Sequence, residues 1–122
     1  MTKIAIPVED KRGLEDRVFE HFGHAPAFAI VTVENGEIKN VETLENPFSG
    51  AHQPGQVPRL LASKGIDLLI CMGMGPRARS LFESIGIQVI TGAQGTVKEV
   101  VEAYIEGILE SREYKPKEKW SE

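Results

Sequence analysis

Cysteine is nearly absent from this chain of 122 residues, in which Cys71 is the only one. A single cysteine excludes an intrachain disulfide and a four-cysteine metal site within one chain, and it is typical of a reducing compartment. No apolar run approaches the ~18 residues of a membrane span, and Met1-Thr2-Lys3 leads into a strand-like run without a signal peptide. We therefore predict a cytoplasmic protein that does not bind a membrane.

The recurring sequence signatures of enzymes are also missing. There is no Ser-His-Asp spacing, no Walker loop and no dinucleotide fingerprint. Glu9 and Asp10 follow the first predicted strand, but a divalent-ion nuclease site would need further acidic residues on strands. The net charge of −4 is spread along the chain, so nothing indicates a nucleic-acid surface. These absences predict a protein that is not an enzyme.

What is present is an ordinary globular composition, with 41% apolar and 26% charged residues. The length suits a single domain, which we place at residues 1–110. Residues 111–122 are charged, contain Pro116 and lack apolar periodicity, so we predict a mobile tail. Trp120 in this tail is either an unpacked aromatic or an anchor on a partner or on the domain.

Alternating strand and helix patterns predict an α/β fold. The order is strand, hairpin, helix, strand, helix, strand, helix, which implies a mixed sheet covered by helices on both faces. The predicted elements are strands at 3–8, 28–33 and 37–44, a helix ending at Gly65, a strand at 66–70, a helix at 76–84, a strand at 87–91 and a helix from Thr96 to about Leu109. Asn35-Gly36 predicts the hairpin turn, and Thr96 with Glu99 predicts a capping box.

The stretch 71–79 has the features of a binding turn. A buried strand ends there, Gly73 and Gly75 allow close approach to the backbone, and Pro76 begins a helix. Arg77 and Arg79 lie in the first helical turn, where a cation opposes the helix dipole unless an anion is bound. We therefore predict an anion-binding site at Gly73, Gly75, Arg77 and Arg79.

The remaining candidate ligands lie in loops that should reach the same edge of the sheet. If strands one and three are parallel, the loops with His21, His24, His52 and Cys71 all emerge at the carboxyl ends of strands, where open α/β sheets bind ligands. His21 is either an iron ligand or a residue that orders its loop. Cys71 is either a thiolate ligand or a small core residue. Met72 and Met74 are soft thioethers that more often fill a core.

Three spaced motifs resemble one known family. They are Glu20-His21-Phe22-Gly23-His24-Ala25-Pro26, Gly73-Met74-Gly75-Pro76-Arg77-Ala78, and the segment from Gly86 through Thr91-Gly92-Ala93 to Gly107. Together they resemble the dinitrogenase iron–molybdenum cofactor biosynthesis family of nitrogenase accessory proteins, over residues 1 to about 110. The resemblance implies a ribonuclease-H-like three-layer α/β/α domain with a mixed five-stranded sheet whose second strand is antiparallel. His24 stands where the family commonly has arginine, which replaces a fixed cation with a titratable group.

The resemblance also implies a function. The family binds, carries or stores iron–sulfur or iron–molybdenum cofactors and their precursors without catalysis. The expected cargo is a transiently bound iron–sulfur or iron–molybdenum cluster, held between the His21 loop and the 73–79 turn and passed between donor and receiver proteins. The alternative is a metal-free regulatory or interaction module that binds a small anion or a protein at this edge. Either would be a monomer or a weak homodimer.

Overall fold

The structure, a computed structural model, describes residues 1–20, 22–47 and 55–107. These ranges contain five strands and three α-helices. In chain order the elements are β1 (Thr2–Val8), β2 (Ala27–Glu34), β3 (Glu37–Glu45), α1 (Gln56–Ser63), β4 (Leu68–Ile70), α2 (Pro76–Ser84), β5 (Gln88–Ile90) and α3 (Val97–Ile105).

The strands form one sheet in the order β3-β2-β1-β4-β5. β2 is antiparallel to both β1 and β3, so β1 and β3 run in the same direction. β4 is parallel to β1, and β5 is parallel to β4. The predicted mixed five-stranded sheet with an antiparallel second strand is therefore confirmed.

Three local sequence signals are confirmed as well. Asn35 and Gly36 join β2 to β3 with φ of 54° and 74°, the left-handed pair that a type I′ hairpin turn requires. α2 begins at Pro76 directly after Gly75. At the start of α3, Thr96 Oγ1 accepts from the Glu99 N–H at 3.2 Å and Glu99 Oε1 accepts from the Thr96 N–H at 2.9 Å. These bonds form the predicted capping box and lower the pKa of Glu99.

The two faces of the sheet pack against different helices. On β1, Ile4 and Ile6 face α3, whereas Ala5 between them faces α1 and α2, as the two-residue period of a strand requires. The α3 face buries Val8, Val31, Leu68, Ile70, Ile90, Val97, Val100 and Val101. The α1/α2 face buries Phe28, Ile30, Val57, Leu61, Leu69, Phe82 and Val89. The result is the expected layering of helices, sheet and helix.

Two strands are shorter than the sequence predicts. β4 was expected at 66–70 and β5 at 87–91, and both Ile66 and Ile87 are buried without belonging to the ladder. The Asp67 side chain explains the late start of β4. Its carboxylate accepts from the Lys3 N–H at 2.9 Å, so a side chain takes the place of a ladder carbonyl at that position.

The far end of the chain is only partly described. α3 follows the predicted apolar stripe to Ile105, while Ile108, Leu109 and the predicted tail at 111–122 lie outside the described residues. The single domain at 1–110 stays a prediction. No helix in the described ranges is long and apolar enough to cross a membrane.

Candidate functional site

The ends of four strands gather the candidate residues at one edge of the sheet, called here the carboxyl edge. β1, β3, β4 and β5 all run toward it, and strand order reverses between β1 and β4. Ligands bind open α/β sheets at such a reversal. The loops after β4 and β5 are joined by main-chain bonds, because the Gly92 N–H donates to Met72 O at 2.8 Å and the Ala93 N–H donates to Cys71 O at 3.1 Å. The predicted convergence of loops is confirmed for the described part of the chain.

Residues 9–20, called here the Asp16 loop, follow β1 at this edge. The charged run at residues 9–17 suggests a polar loop, and the structure shows a 3₁₀ turn at Gly13–Glu15 and an Asp16 that is only 1% exposed. The Asp16 carboxylate accepts hydrogen bonds from the N–H groups of Arg17 at 2.9 Å, Arg12 at 3.1 Å and Asp10 at 3.1 Å. A buried carboxylate needs such partners, because burying it unpaired costs far more than a hydrogen bond returns.

The backbone of the Asp16 loop is bent to make this arrangement possible. Lys11 has φ of 59°, in the left-handed region that residues other than glycine rarely adopt. Such a conformation costs on the order of 1–3 kcal/mol and persists where surrounding bonds offset it. A left-handed residue directs neighbouring N–H groups to one side, as in the backbone nests that bind anions. Here the anion comes from the chain itself.

The Asp16 loop is bonded to the sheet and to the loop before α3. The Phe19 N–H donates to Pro7 O at 2.8 Å, and the Val18 N–H donates to Gly95 O at 2.9 Å. In return the Val97 N–H donates to Asp16 O at 2.8 Å. Residues far apart in sequence thus hold the Asp16 loop against the start of α3.

A cleft of about 320 Å³ lies along the Asp16 loop. Four carboxylates and two guanidiniums belong to its lining residues, and Arg12 pairs with Asp10 at 3.5 Å. An anionic ligand would therefore meet net negative charge here. The lining residues are Glu9, Asp10, Arg12, Asp16, Arg17, Val18, Phe19 and Glu20.

An aromatic contact brings the His24 segment against α2. His24 is exposed at the end of a 3₁₀ turn, Phe22–His24. The Phe22 ring in that turn lies 5.4 Å from the Phe82 ring of α2, edge-on, and 5.8 Å from the Phe28 ring of β2. The turn that carries His24 and the helix that carries Arg77 therefore pack against each other through a shared aromatic cluster.

The glycine turn, residues 71–75, leaves its backbone open. Among the described residues, none accepts a hydrogen bond from the N–H of Gly73, Met74 or Gly75. Gly75 has φ of −69°, which any residue can adopt, and an added Cβ would meet nothing within 4 Å. Neither backbone conformation nor packing requires glycine at position 75, which is the exposed N-cap residue of α2.

The cysteine at the start of the glycine turn lies inside the protein. Cys71 is fully buried among the α1/α2-face residues, and burial raises the pKa of its thiol from 9.0 to about 12, despite the opposing influence of Arg79. The thiol is therefore protonated at neutral pH in this conformation. Since the thiolate is the metal-ligating form, the structure favours the core role of Cys71 over ligation.

The two arginines predicted to bind an anion differ in what they contact. The Arg79 guanidinium donates to Val89 O at 3.1 Å and to the Glu83 carboxylate at 3.2 Å, which fastens α2 to β5. Arg77 is exposed, and its side chain forms no ion pair or hydrogen bond with any described residue. Arg77 is therefore the more available cation beside the glycine turn.

Two predicted ligands cannot be placed. His21 and His52 lie outside the described residues, so their roles stay predictions. Within the described ranges, no group of three or more His, Cys, Asp or Glu side chains is arranged to hold a metal ion.

Sequence reasoning missed two buried polar residues that shape the edge. One is Asp16. The other is Asn46, whose N–H donates to Pro26 O and whose Nδ2 donates to Ala25 O, both at 2.9 Å. These bonds join the loop after β3 to the chain directly after His24. Asn46 precedes Pro47 at the end of a strand pattern, which signals a turn but not burial.

The relationship of this chain to known proteins can now be assessed. The sequence pattern of the family described as "Dinitrogenase iron-molybdenum cofactor" matches residues 2–107, which includes all the described strands and helices. The chain belongs to this family. Membership confirms the resemblance inferred from its three motifs.

Individual relatives in sequence and structure agree with this membership. The chain is 36% identical over 115 residues to the uncharacterized protein MJ0580 of Methanocaldococcus jannaschii, and covers 93% of each. The crystal structure of PH0822 is similar with a TM-score of 0.82 and 37% identity, over 91% of this chain and 96% of that one. The apo form of the orange protein from Desulfovibrio gigas has a TM-score of 0.80 and 27% identity, over 92% and 93%.

Proposed function

We propose that this protein is a non-catalytic carrier or storage protein for an iron–sulfur or iron–molybdenum type cluster, or for a precursor of one. The observation that carries the proposal is the family match over residues 2–107. The Desulfovibrio gigas relative supports it, because its structure is that of the apo form of an orange protein.

The charges at the carboxyl edge indicate where such a cargo would bind. Clusters of this class are commonly anionic, and the Asp16 loop offers them mainly carboxylates. The glycine turn offers main-chain N–H groups at the start of α2, beside Arg77. Amides at a helix amino terminus and a nearby guanidinium are both suited to negative charge. We therefore place the cargo over the glycine turn.

The protein ligands would come from the segment that carries His21 and His24. His24 lies on the segment that the Phe22 ring holds against α2, and His21 directly precedes that turn. Neutral imidazole is a suitable ligand for iron. Cys71 is a weaker candidate because its thiol is buried and protonated. His52 retains its predicted role as a further ligand.

A site with so few ligands suits temporary binding. A preassembled cluster brings its own sulfide, so one or two imidazoles, backbone amides and Arg77 suffice to hold it. Each of these contacts can be exchanged for a contact on a receiver protein. We accordingly propose cluster donor and receiver proteins as partners, in the cytoplasm, with the chain acting as a monomer or weak homodimer.

A second candidate function rests on the glycine turn alone. Its amides and Arg77 would also bind a small anion such as phosphate without any metal. In that case the protein is a regulatory or interaction module. The two functions differ in which side chains matter, since an anion needs Arg77 and a cluster also needs an imidazole.

Anaerobic reconstitution tests the proposal. The purified protein is mixed with ferrous iron, sulfide and molybdate, desalted, and examined for visible charge-transfer absorption and retained metal. We expect both, with reduced retention in His21→Ala, His24→Ala and Arg77→Ala. Lys64→Ala is the matched control, because it removes an exposed cation at the far end of α1, where Lys3 Nζ contacts Lys64 O.

The outcomes separate the two functions. A colourless protein that retains no metal would contradict the carrier function. Phosphate binding that weakens in Arg77→Ala and is unchanged in His21→Ala would then establish the anion module instead.

A further inference from the structure

The Asp16 carboxylate is a buried charge that the proposed cargo site does not use. Its hydrogen-bond donors are the main-chain N–H groups of Asp10, Arg12 and Arg17, all from its own loop. The side chain is almost completely shielded from water. A charged group in this position makes the conformation of the loop depend on a single carboxylate.

The chain conformation around Lys11 shows the same dependence. The left-handed Lys11 lies between Asp10 and Arg12, the two residues whose N–H groups converge on one carboxylate oxygen. Without an anion in this nest, nothing offsets the unfavourable backbone conformation or the desolvated N–H groups. Loss of the carboxylate should therefore release residues 10–17 before it affects the sheet.

The Asp16 loop directly precedes the segment of the chain that carries His21 and His24. Bonds from Phe19 to Pro7 and from Val18 to Gly95 fix the backbone directly before residues 21–24. Arg17, whose N–H belongs to the nest, directly precedes these two residues and pairs with Thr96 in a β-bridge.

We propose that Asp16 is a positioning residue for the carboxyl edge: by filling the amide nest of its own loop, it orders the chain that leads to His24 and so supports cargo binding there. This inference rests on the proposed function for its cargo, but the effect on the loop does not. Asp16 contacts no cargo itself and acts through the Asp16 loop.

Amide hydrogen exchange on ¹⁵N-labelled protein tests the positioning directly. In Asp16→Ala we expect the amides of Asp10, Arg12 and Arg17 to exchange at least about ten-fold faster, while those of Ile4 and Leu69 in the sheet change less. Glu15→Ala, at the exposed neighbouring residue, is the matched control and should exchange like the native protein. Asp16→Asn is the milder variant if the alanine variant folds poorly, because it keeps the side-chain volume.

Rescue by an external anion gives a readout that a simple loss of stability would not. The nest vacated in Asp16→Ala is the size of a carboxylate, so sodium formate should restore slow exchange in the loop, whereas sodium chloride at the same ionic strength should not. In Asp16→Asn the amide still occupies the nest, and formate should have no effect. Cargo retention should fall several-fold in Asp16→Ala and recover with formate.

Each result decides the proposal. Unchanged exchange in the loop, equal acceleration in the loop and the sheet, or no response to formate would overturn it. Full cargo retention in a variant whose loop exchanges fast would also overturn it and leave the carrier function standing. If the native protein retains no metal, the carrier function fails, and the exchange and formate results still decide whether Asp16 orders the loop.

Discussion

The Asp16 loop and the glycine turn lie at the same edge of the sheet but use their main-chain amides in opposite ways. In the Asp16 loop three N–H groups are bonded to a carboxylate of the loop itself. In the glycine turn the N–H groups of Gly73, Met74 and Gly75 have no acceptor among the described residues. One segment is satisfied within the fold, and the other is open to a ligand.

This difference indicates which segment of the carboxyl edge is available to bind a ligand and which segment stabilises the edge. The Asp16 loop has an acidic surface, bends its backbone at Lys11 and is bonded at several points. The glycine turn has an ordinary backbone at Gly75, and the side chain of Arg77 next to it has no partner in the part of the chain that the structure describes. We infer that stability and access are divided between the two segments.

The largest expected effect comes from the aromatic cluster of Phe22, Phe28 and Phe82, which joins the Phe22–His24 turn to α2. Phe82→Ala should lower the free energy of unfolding by about 3–5 kcal/mol, because the ring is fully buried and contacts Phe22 edge-on. Ile85→Ala, at a residue of the following turn that is 44% exposed, should have little effect. Urea denaturation measures both. A loss for Phe82→Ala below about 1 kcal/mol would show that this cluster does not hold the Phe22–His24 turn against α2.

Two glycine variants compare the stability of the constrained loop before α3 with that of the open glycine turn. Gly95 has φ of 116°, and an added Cβ would lie 2.6 Å from Glu99 Oε1, so Gly95→Ala should cost roughly 1–3 kcal/mol through strain and loss of the capping box. Gly75→Ala should change stability by less than about 0.5 kcal/mol, since a poorer cap is offset by a less flexible unfolded chain. Thermal and urea unfolding test the pair.

The Gly75→Ala variant also tests whether the glycine turn binds the cargo. If the amides of the glycine turn contact the cargo, Gly75→Ala should reduce cluster retention while the protein stays as stable as the native chain. Equal retention by the native protein and Gly75→Ala would place the cargo elsewhere on the edge.

The buried thiol predicts an effect of pH on stability. The pKa of Cys71 is about 12 in the folded protein and near 9.0 when exposed, so the folded state holds the proton more tightly. Its contribution to stability is complete below the unfolded pKa and is lost as pH rises from about 9 toward about 12, at up to about 1.4 kcal/mol per pH unit. Urea unfolding of Cys71→Ala should lack this component. Identical pH dependence in both proteins would contradict the assignment of a buried thiol.

The smallest effect concerns a surface contact of the Asp16 loop. Lys11 Nζ lies 2.7 Å from Glu45 Oε2 at the end of β3, and this hydrogen bond lowers the pKa of Glu45. Both groups are exposed, so Lys11→Ala should change stability less than Phe82→Ala or Gly95→Ala does, and the change should vanish in high salt. NMR titration should show the Glu45 pKa rising to its usual range. An unchanged Glu45 pKa would mean that the pair does not form in solution.

The sequence was informative where structure is decided by neighbouring residues. Asn35-Gly36, Gly75-Pro76 and Thr96 with Glu99 each predicted a turn or a helix start that the structure confirms, because their signals act within four residues. The anion-binding and ligand roles at the edge stay predictions, because a local pattern does not specify a bound molecule, and His21 and His52 lie outside the described residues.

The features that could not be predicted depend on distant contacts. Asp16 belongs to a run of charged residues, and its loop is held against the start of α3 by bonds from the Val18 N–H to Gly95 O and from the Val97 N–H to Asp16 O. Asn46 is buried by bonds to residues 25 and 26 in another loop. No local pattern distinguishes these side chains from exposed ones.

Amide spectra of the ¹⁵N-labelled protein before and after anaerobic reconstitution test the central claim most directly. We predict that the signals of Gly73, Met74, Gly75 and Arg77 shift or broaden when the cluster binds, while those of Asp10, Arg12 and Arg17 persist. Broadening centred on the Asp16 loop, or spectra that do not change at all, would contradict a cargo site at the glycine turn.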